Sequence, residues 1–352
     1  MLRFVKRDEI SKRKSIMIRV VSVVLALVIF GIFLVFMKKN PIEVYQSMIK
    51  GSFGSAYATK ETIKLAIPLC ISALGVSVAF KMQFWNIGAE GQIMMGAFLA
   101  SLFALKMPNL PRPMLLLLMM AAGVVGGSLW ALIPAIFKAK WRTNETIVTL
   151  MMNYIAIKWV TFLQYGPLKD PNAKGFPKIA NFTENATLPD IFGVHIGWIF
   201  ALLLVVFVYI FMKYTKKGYE IAVLGESEKT ALYSGINIKK TIIISILLSG
   251  GLCGLVGMIQ ASGISGTLAY NVSGGVGNTS IIVAWLGSLS APIILVVSVL
   301  FAALQQGGSF IQTSFGIPDA AAQILQAIIL FFVLGCEFFI KFKIERKVGD
   351  AE

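Results

Sequence analysis

The chain has 352 residues, 57% of them apolar and 14% charged, and its 32 Lys and Arg against 17 Asp and Glu leave a formal net charge of +15. Soluble domains carry about 25% charged residues and a membrane crossing takes roughly 20 apolar ones. The composition therefore excludes a water-soluble enzyme and predicts an all-α polytopic membrane protein of about ten transmembrane helices. A single His, and three Cys (Cys70, Cys253, Cys336) all within apolar stretches, exclude a metal cluster and a disulfide framework.

Residues 1–15 form a basic head with Arg3, Lys6, Arg7, Lys12, Arg13 and Lys14. The apolar run that follows, 16–37, is longer than a signal-peptide core and has no small-residue cleavage site after it, so it reads as a retained first helix. Further runs lie near 62–80, 87–106, 113–137, 145–165, 196–212, 241–261, 279–289, 291–312 and 319–340. Together they make 16–340 one transmembrane domain, followed by a tail over 341–352. With the head inside and ten alternating spans, 21 of the 32 Lys and Arg fall on the inner side. That bias predicts both termini cytoplasmic. It also reads the positive charge as a topology signal facing lipid headgroups, not as a nucleic-acid surface.

At the start of the third run, Asn86 and Glu90 are four residues apart and are expected to share a helix face, with Gly88 and Gly91 allowing a break or close backbone approach there. Ionisable groups at membrane depth are costly and face cavities or other helices. Glu90 has two readings at this point: a pore-facing helix start, or a shallow helix start whose carboxylate complements the dipole. Gly123 and Gly127 in one run, and Gly250, Gly254, Gly257 and Ala261 in another, are spaced for close helix packing.

Residues 166–195 hold Pro167, Pro171, Pro177 and Pro189 and are expected to form a turn-rich external loop ending at His195, an interface residue. Residues 213–240 are expected to be cytoplasmic, with a short helix over Glu226 to Tyr233 capped by Ser227. That helix is either a docking element or a solvated connector. The stretch ASGISGTLAYNVSGGVGNTS at 261–280 is too polar for lipid and reads as a broken helix in protein-lined space or as an external loop. Only Ser288, Ser290 and Pro292 separate the runs at 279–289 and 291–312, so the first is a short span or a re-entrant segment. Polar stripes mark the last two runs, Ser298, Ala302, Gln305, Ser309 and Gln312 on one and Asp319, Gln323 and Gln326 on the other. No phosphate-binding GxxxxGK[ST] motif occurs, so ATP is not hydrolysed by that route on this chain.

Three segments, FWNIGAEGQIMMGAF at 84–98, TNETIVTLMMNYIA at 143–156 and GYEIAVLGESEKTALYSGINIKK at 218–240, together resemble the permease subunits of bacterial ATP-binding-cassette importers of the ribose, branched-chain amino acid and nucleoside class. The stretch at 143–156 is most similar to the nucleoside subgroup. SGGVGNTSIIVAWLGSLSAP is similar to that family's glycine-rich entry into its last spans.

The resemblance implies a fold similar to type II importers, with about ten helices per subunit, in the bacterial cytoplasmic membrane. It implies a non-catalytic subunit that binds no cofactor itself, pairs with a second permease (sibling or self), and rests on two cytoplasmic ATPase subunits that carry the ATP. An external substrate-binding protein delivers the solute. The family's ATPase-coupling loop maps here to Gly218, Tyr219, Gly225, Ala231, Gly235 and Ile236. Ala222-Val223 replaces the usual Arg-Ala and Ser227-Glu228 the usual Asn-Pro, so Glu226, Glu228 and Lys229 are expected to carry the charge contact instead. Asn86, Glu90, Gln92, Asn153 and Asn271 are the translocation-pathway candidates, with Phe84 and Trp85 either stacking on a base or anchoring at the interface. Nucleosides are the expected solute, a ribose-type sugar or branched-chain amino acid the alternatives, and an ion-coupled secondary transporter the rival from another class.

Overall fold

The computed structural model describes residues 2–6, 11–171, 173, 175, 177–318 and 320–346. Arg7, Asp319 and the tail beyond 346 lie outside the described residues. Each of the ten apolar runs coincides with a helix, and the described chain divides into two compact units, Met1–Thr59 with Ala303–Glu352, and Lys60–Ala302.

The first unit contains β1 (Leu2–Lys6), α1 (Lys12–Phe36) and α2 (Pro41–Phe53). From the other end of the chain come the last turns of a helix ending at Phe315, then a helix Ala320–Lys341 and a strand Phe342–Arg346. The two strands pair antiparallel with Leu2 opposite Arg346, which brings both ends of the described chain together. Asn40 caps α2, accepting from the Ile42 amide at 3.1 Å, and Pro41 takes the first helical position, where its missing N–H costs nothing. α2 turns back from α1 by 114°. Gly51 permits it to pack, because a Cβ there would lie 2.4 Å from the Cβ of Phe310.

The second unit contains α3 (Ala56–Lys81), α4 (Ala89–Lys106), α5 (Arg112–Trp141) and α6 (Glu145–Tyr165), followed by the hairpin β2 (Asp190–Ile191) and β3 (Val194–His195). After these come α7 (Gly197–Tyr214), α8 (Lys216–Glu226), α9 (Glu228–Tyr233) and α10 (Ile238–Ile259), which ends in a π turn, Gln260–Ser265. The short α11 (Val276–Leu286) precedes α12 (Ala291–Phe315); α13 and β4 are the closing helix and strand given above. Among the described residues, six helices (α3, α5, α6, α7, α10 with its π turn, α12) are long and apolar enough to cross a membrane, and α1 with α2 makes a seventh if counted as one broken span. α11 has 11 residues, too few to cross alone.

The centre of this unit is a glycine junction. A Cβ on Gly254 of α10 would lie 2.1 Å from the Gly123 carbonyl oxygen of α5, one on Gly127 2.1 Å from that of Gly250, and one on Gly96 of α4 2.3 Å from that of Gly254. Three helices therefore meet at backbone contact, the role that the small-residue spacing implied.

Candidate functional site

The turn between α3 and α4 carries the first candidates. Asn86 lies in this turn before α4 begins, not on a helix face shared with Glu90 as the four-residue spacing suggested. It is fully buried; its Nδ2 donates to Gln92 Oε1 (3.2 Å) and Ser249 Oγ (3.1 Å), and its Oδ1 accepts from Gln92 Nε2 (3.0 Å) and the Gly88 amide (3.1 Å). Asn153 of α6 closes the same turn, accepting from the Gly91 amide and donating to the Ile87 carbonyl, both at 2.8 Å. Ser249 stands roughly 16 Å along α10 from Ile238 at about 1.5 Å per residue, near the middle of a helix long and apolar enough to cross a membrane.

Glu90 points the other way, at the start of α11. Its Oε1 accepts from Ser273 Oγ and the Gly275 amide (3.2 Å), and its Oε2 from the Gly277 amide (2.8 Å). Those amides belong to the first turn of α11, whose N-cap Gly275 has φ +75° and no side chain to cap with. The carboxylate therefore supplies the missing cap and meets the positive end of the α11 dipole. Gln92, Asn86, Glu90 and Asn153 are all buried with their polar atoms committed to protein partners. Asn271 is apart from them and exposed, in the turn leading to α11. Trp85 is 44% exposed and stacks on Trp285 with centroids 5.6 Å apart, while Phe84 is buried.

The loop over 213–240 folds as two short helices. Thr215 caps α8 and Ser227 caps α9, where its hydroxyl accepts from the Thr230 amide at 3.3 Å. Gly218 and Gly225 are at close approaches: Cβ atoms there would lie 2.3 Å from the Phe211 oxygen and 2.0 Å from the Lys81 oxygen. Gly235 ends α9 with φ +71° and open space around it. Ala231 is buried, Ile236 half-buried, and Tyr219, Leu232 and Tyr233 are exposed. The exposed Glu228 pairs with Arg142 at 3.1 Å, and Glu226 and Lys229 are exposed as well. An exposed pair contributes at most about 1 kcal/mol. Glu220 is buried between Lys217 and Thr241 Oγ1 (3.0 Å), and the Lys217 ammonium holds its carboxyl below the usual range. Beside α9 lies a cavity of about 610 Å³ lined by Phe84, Lys138, Arg142, Leu224, Leu232 and Lys239 among others.

His195 is fully buried within the protein, and neither ring nitrogen has a hydrogen-bond partner among the described residues. Gly197 and Gly263 clear space for its ring. Burial pushes its pKa down to about 4, the nearby Asp190 opposing this and Lys64 adding to it. The folded value lies below the ordinary 6.5, so the neutral ring stabilises the fold above about pH 6.5 and that contribution is lost as the pH falls toward 4. Full protonation is expected to cost about 3 kcal/mol. Thermal unfolding of the detergent-extracted protein should show a steep acid loss between pH 6.5 and 4 that His195→Leu flattens; an unchanged profile in His195→Leu would contradict it.

Of the two late polar stripes, Ser298 and Gln326 are buried while Ser309, Gln312 and Gln323 are exposed. Two exposed polar residues that neither spacing nor motif singles out, Tyr270 and Asn278, flank the glycines before and within α11. Their signal is the same Gly- and Asn-rich composition that marks 261–280 as a segment.

Residues 59–334 match the family model described as the branched-chain amino acid transport system / permease component. The chain is 32% identical to a glucose ABC transporter permease protein of Haloferax volcanii, covering 94% of this chain and 91% of that protein. It is 31% identical to a nucleoside ABC transporter permease protein of Lactococcus lactis (97% and 95% covered) and 30% identical to a guanosine ABC transporter permease protein of Bacillus subtilis (92% and 94%).

Proposed function

The chain belongs to the permease-component family of the branched-chain amino acid transport systems, and from that premise we propose that it is the membrane subunit of an ATP-driven importer moving nucleosides handed over by an external substrate-binding protein. The observation that carries the solute is likeness over nearly the whole of both chains to permeases of a nucleoside and a guanosine transporter. A sugar is the second reading, favoured by the glucose relative at similar identity. In cells with no other nucleoside uptake, labelled guanosine and uridine are expected to enter only when this chain is present, with excess nucleoside competing and glucose not. Glucose uptake without nucleoside uptake would overturn the solute.

In this reading the subunit lies in the bacterial cytoplasmic membrane and pairs with a second permease, sibling or self. Two cytoplasmic ATPase subunits bind the ATP. Ten spans with both termini cytoplasmic are supported by the pairing of the two chain ends and by the placement of the basic residues. The domain spans 16–340, with 166–195 external, 213–240 the cytoplasmic coupling loop, and 1–15 and 341–352 the cytoplasmic head and tail. Exposed Tyr219, Glu226, Glu228, Lys229, Leu232 and Tyr233 on α8 and α9 give the ATPase a surface to push against. Gly218 and Gly225 would pass that push to α7 and α3, whose backbones they touch.

The pathway candidates divide by role. Asn86, Glu90, Gln92 and Asn153 frame the wall from within, and Asn271 contributes to its surface. Two states differ in population only if a ligand or ATP-driven closure binds one of them better, and the satisfied polar groups hold the wall in one defined position in the arrangement described.

At Gly235, φ +71° is strained for any residue with a Cβ, at about 1–3 kcal/mol, and Asp adds a charge at the docking face. Gly235→Asp is expected to lower uptake at least tenfold while membrane insertion and external binding-protein affinity stay unchanged. Uptake at the normal rate would count against docking through this loop.

A further inference from the structure

Residues 266–275 are non-helical backbone that runs from the 166–195 loop, where the Gly266 carbonyl accepts from the Phe182 amide and Thr267 Oγ1 donates to the Ile179 carbonyl, past Gln164 near the end of α6 to Glu90 on α4. Within a membrane such backbone is tolerated only where it is buried in protein or lines a water-filled cavity. The segment has two faces. Leu268, Val272 and Val276, spaced by four, are buried, the first two packing with Met94, Ala97, Ala156 and Val160. The opposite face exposes Tyr270 (48%), Asn271 and Asn278. The Asn271 and Asn278 amides and the Tyr270 hydroxyl have no partner among the described residues, unlike the satisfied amides of Asn86, Gln92 and Asn153. Asn278, Ile282 and Trp285 share one face of α11 by three-and-four spacing, and Trp285 ends this stripe in its stack with Trp85.

We propose that this stripe, from Tyr270 through Asn271 and Asn278 to Trp285 and Trp85, is the solute-contacting surface, and that it selects uncharged solutes with a flat aromatic face and polar edges, as a nucleoside has. The solute class rests on the function proposed above; the location of the surface does not. No Asp, Glu, Lys or Arg lies on the stripe, and Lys138 near its Trp85 end is already paired with Glu145 at 2.7 Å, so a nucleotide phosphate would be desolvated with no uncommitted cation to meet it. Aromatic rings at both ends offer faces for stacking on a base. The two carboxamides between them each provide a donor and an acceptor to a base edge or a ribose hydroxyl.

The test uses the assembled transporter with its ATPases, partner permease and binding protein in proteoliposomes. Cysteines placed by Asn271→Cys and Asn278→Cys are expected to react with a charged, impermeant methanethiosulfonate at least tenfold faster than those placed by Val296→Cys and Leu300→Cys on the exposed apolar face of α12. Reaction should stop uptake, and excess uridine with binding protein should slow it. Tyr270→Leu is expected to lower the maximal rate of uridine uptake about tenfold, with Tyr270→Phe restoring most of it and uridine monophosphate excluded throughout. Equal labelling at 271, 278, 296 and 300 in a transporter that imports uridine overturns the surface and leaves the proposed function standing. Fast labelling at 271 and 278 in a transporter that imports glucose and no nucleoside keeps the surface and overturns the solute class.

Discussion

Gly254→Val should remove the folded protein from the membrane fraction. A Cβ at Gly254 would sit 2.1 Å from the Gly123 oxygen and 2.8 Å from backbone atoms of Gly127, and the 254 carbonyl itself is already close to Gly96. Extra methylenes in an ordinary core cost about 1–3 kcal/mol because side chains turn aside. Here the obstructing atoms are main chain of α5, so α5 and α10 would have to separate, which would also disturb the contact of α10 with α4. The expected cost exceeds about 3 kcal/mol, a large share of the roughly 5–15 kcal/mol that holds a typical fold. Monodisperse protein recovered after detergent extraction is the measurement. Gly254→Ala should give an intermediate yield, and Gly335→Val, where a Cβ meets nothing within 4 Å, a normal one. Normal yield for Gly254→Val would mean that the three helices do not meet as described.

Glu90→Ala should abolish transport with less effect on yield. It leaves the buried Gly277 amide, the partly buried amide of the N-cap Gly275 and the Ser273 hydroxyl without an acceptor, at about 1–3 kcal/mol for a buried unsatisfied group, and removes the charge that faces the helix dipole. The 266–286 segment would lose its anchor. Uptake is expected to fall about a hundredfold, with faster amide hydrogen exchange confined to that segment. Glu90→Gln keeps one accepting oxygen and should retain part of the rate. Wild-type uptake in Glu90→Ala would refute the anchoring role.

The helices are legible in the sequence because their apolar runs are long, and the cap at Ser227 and the contacts of Gly123, Gly127, Gly250 and Gly254 because they follow local spacing rules. α2 is not: at 13 residues with Glu43 and Lys50 it lacks the length and hydropathy of a span, and it packs through Ser52 and Gly51 on Ala303 and Phe310 of α12. Glu90 stands out as a candidate, but both readings open to a lone sequence look only to its own helix. Its partners lie 183, 185 and 187 residues further on, a separation at which no periodicity in one sequence connects them. Tyr270 and Asn278 escape notice for a related reason. Exposure on one face of an irregular segment follows from what its other face packs against, and Leu268 and Val272 find that packing on α4 and α6.

The 185-residue separation between Glu90 and the Gly275 amide also sets a schedule for synthesis. At about 5–20 residues per second, α4 and α5 are made roughly 10–40 s before the segment that donates hydrogen bonds to the carboxylate, and the helix that fills their glycine groove also follows them. For that interval the nascent chain carries an unpartnered acid and a strip of bare backbone. A chain terminated before α10 would keep that acid and the glycine groove's exposed backbone without the partners that hydrogen bonds and close contacts give them in the full chain, so the last third of the sequence completes a core that α4 and α5 open.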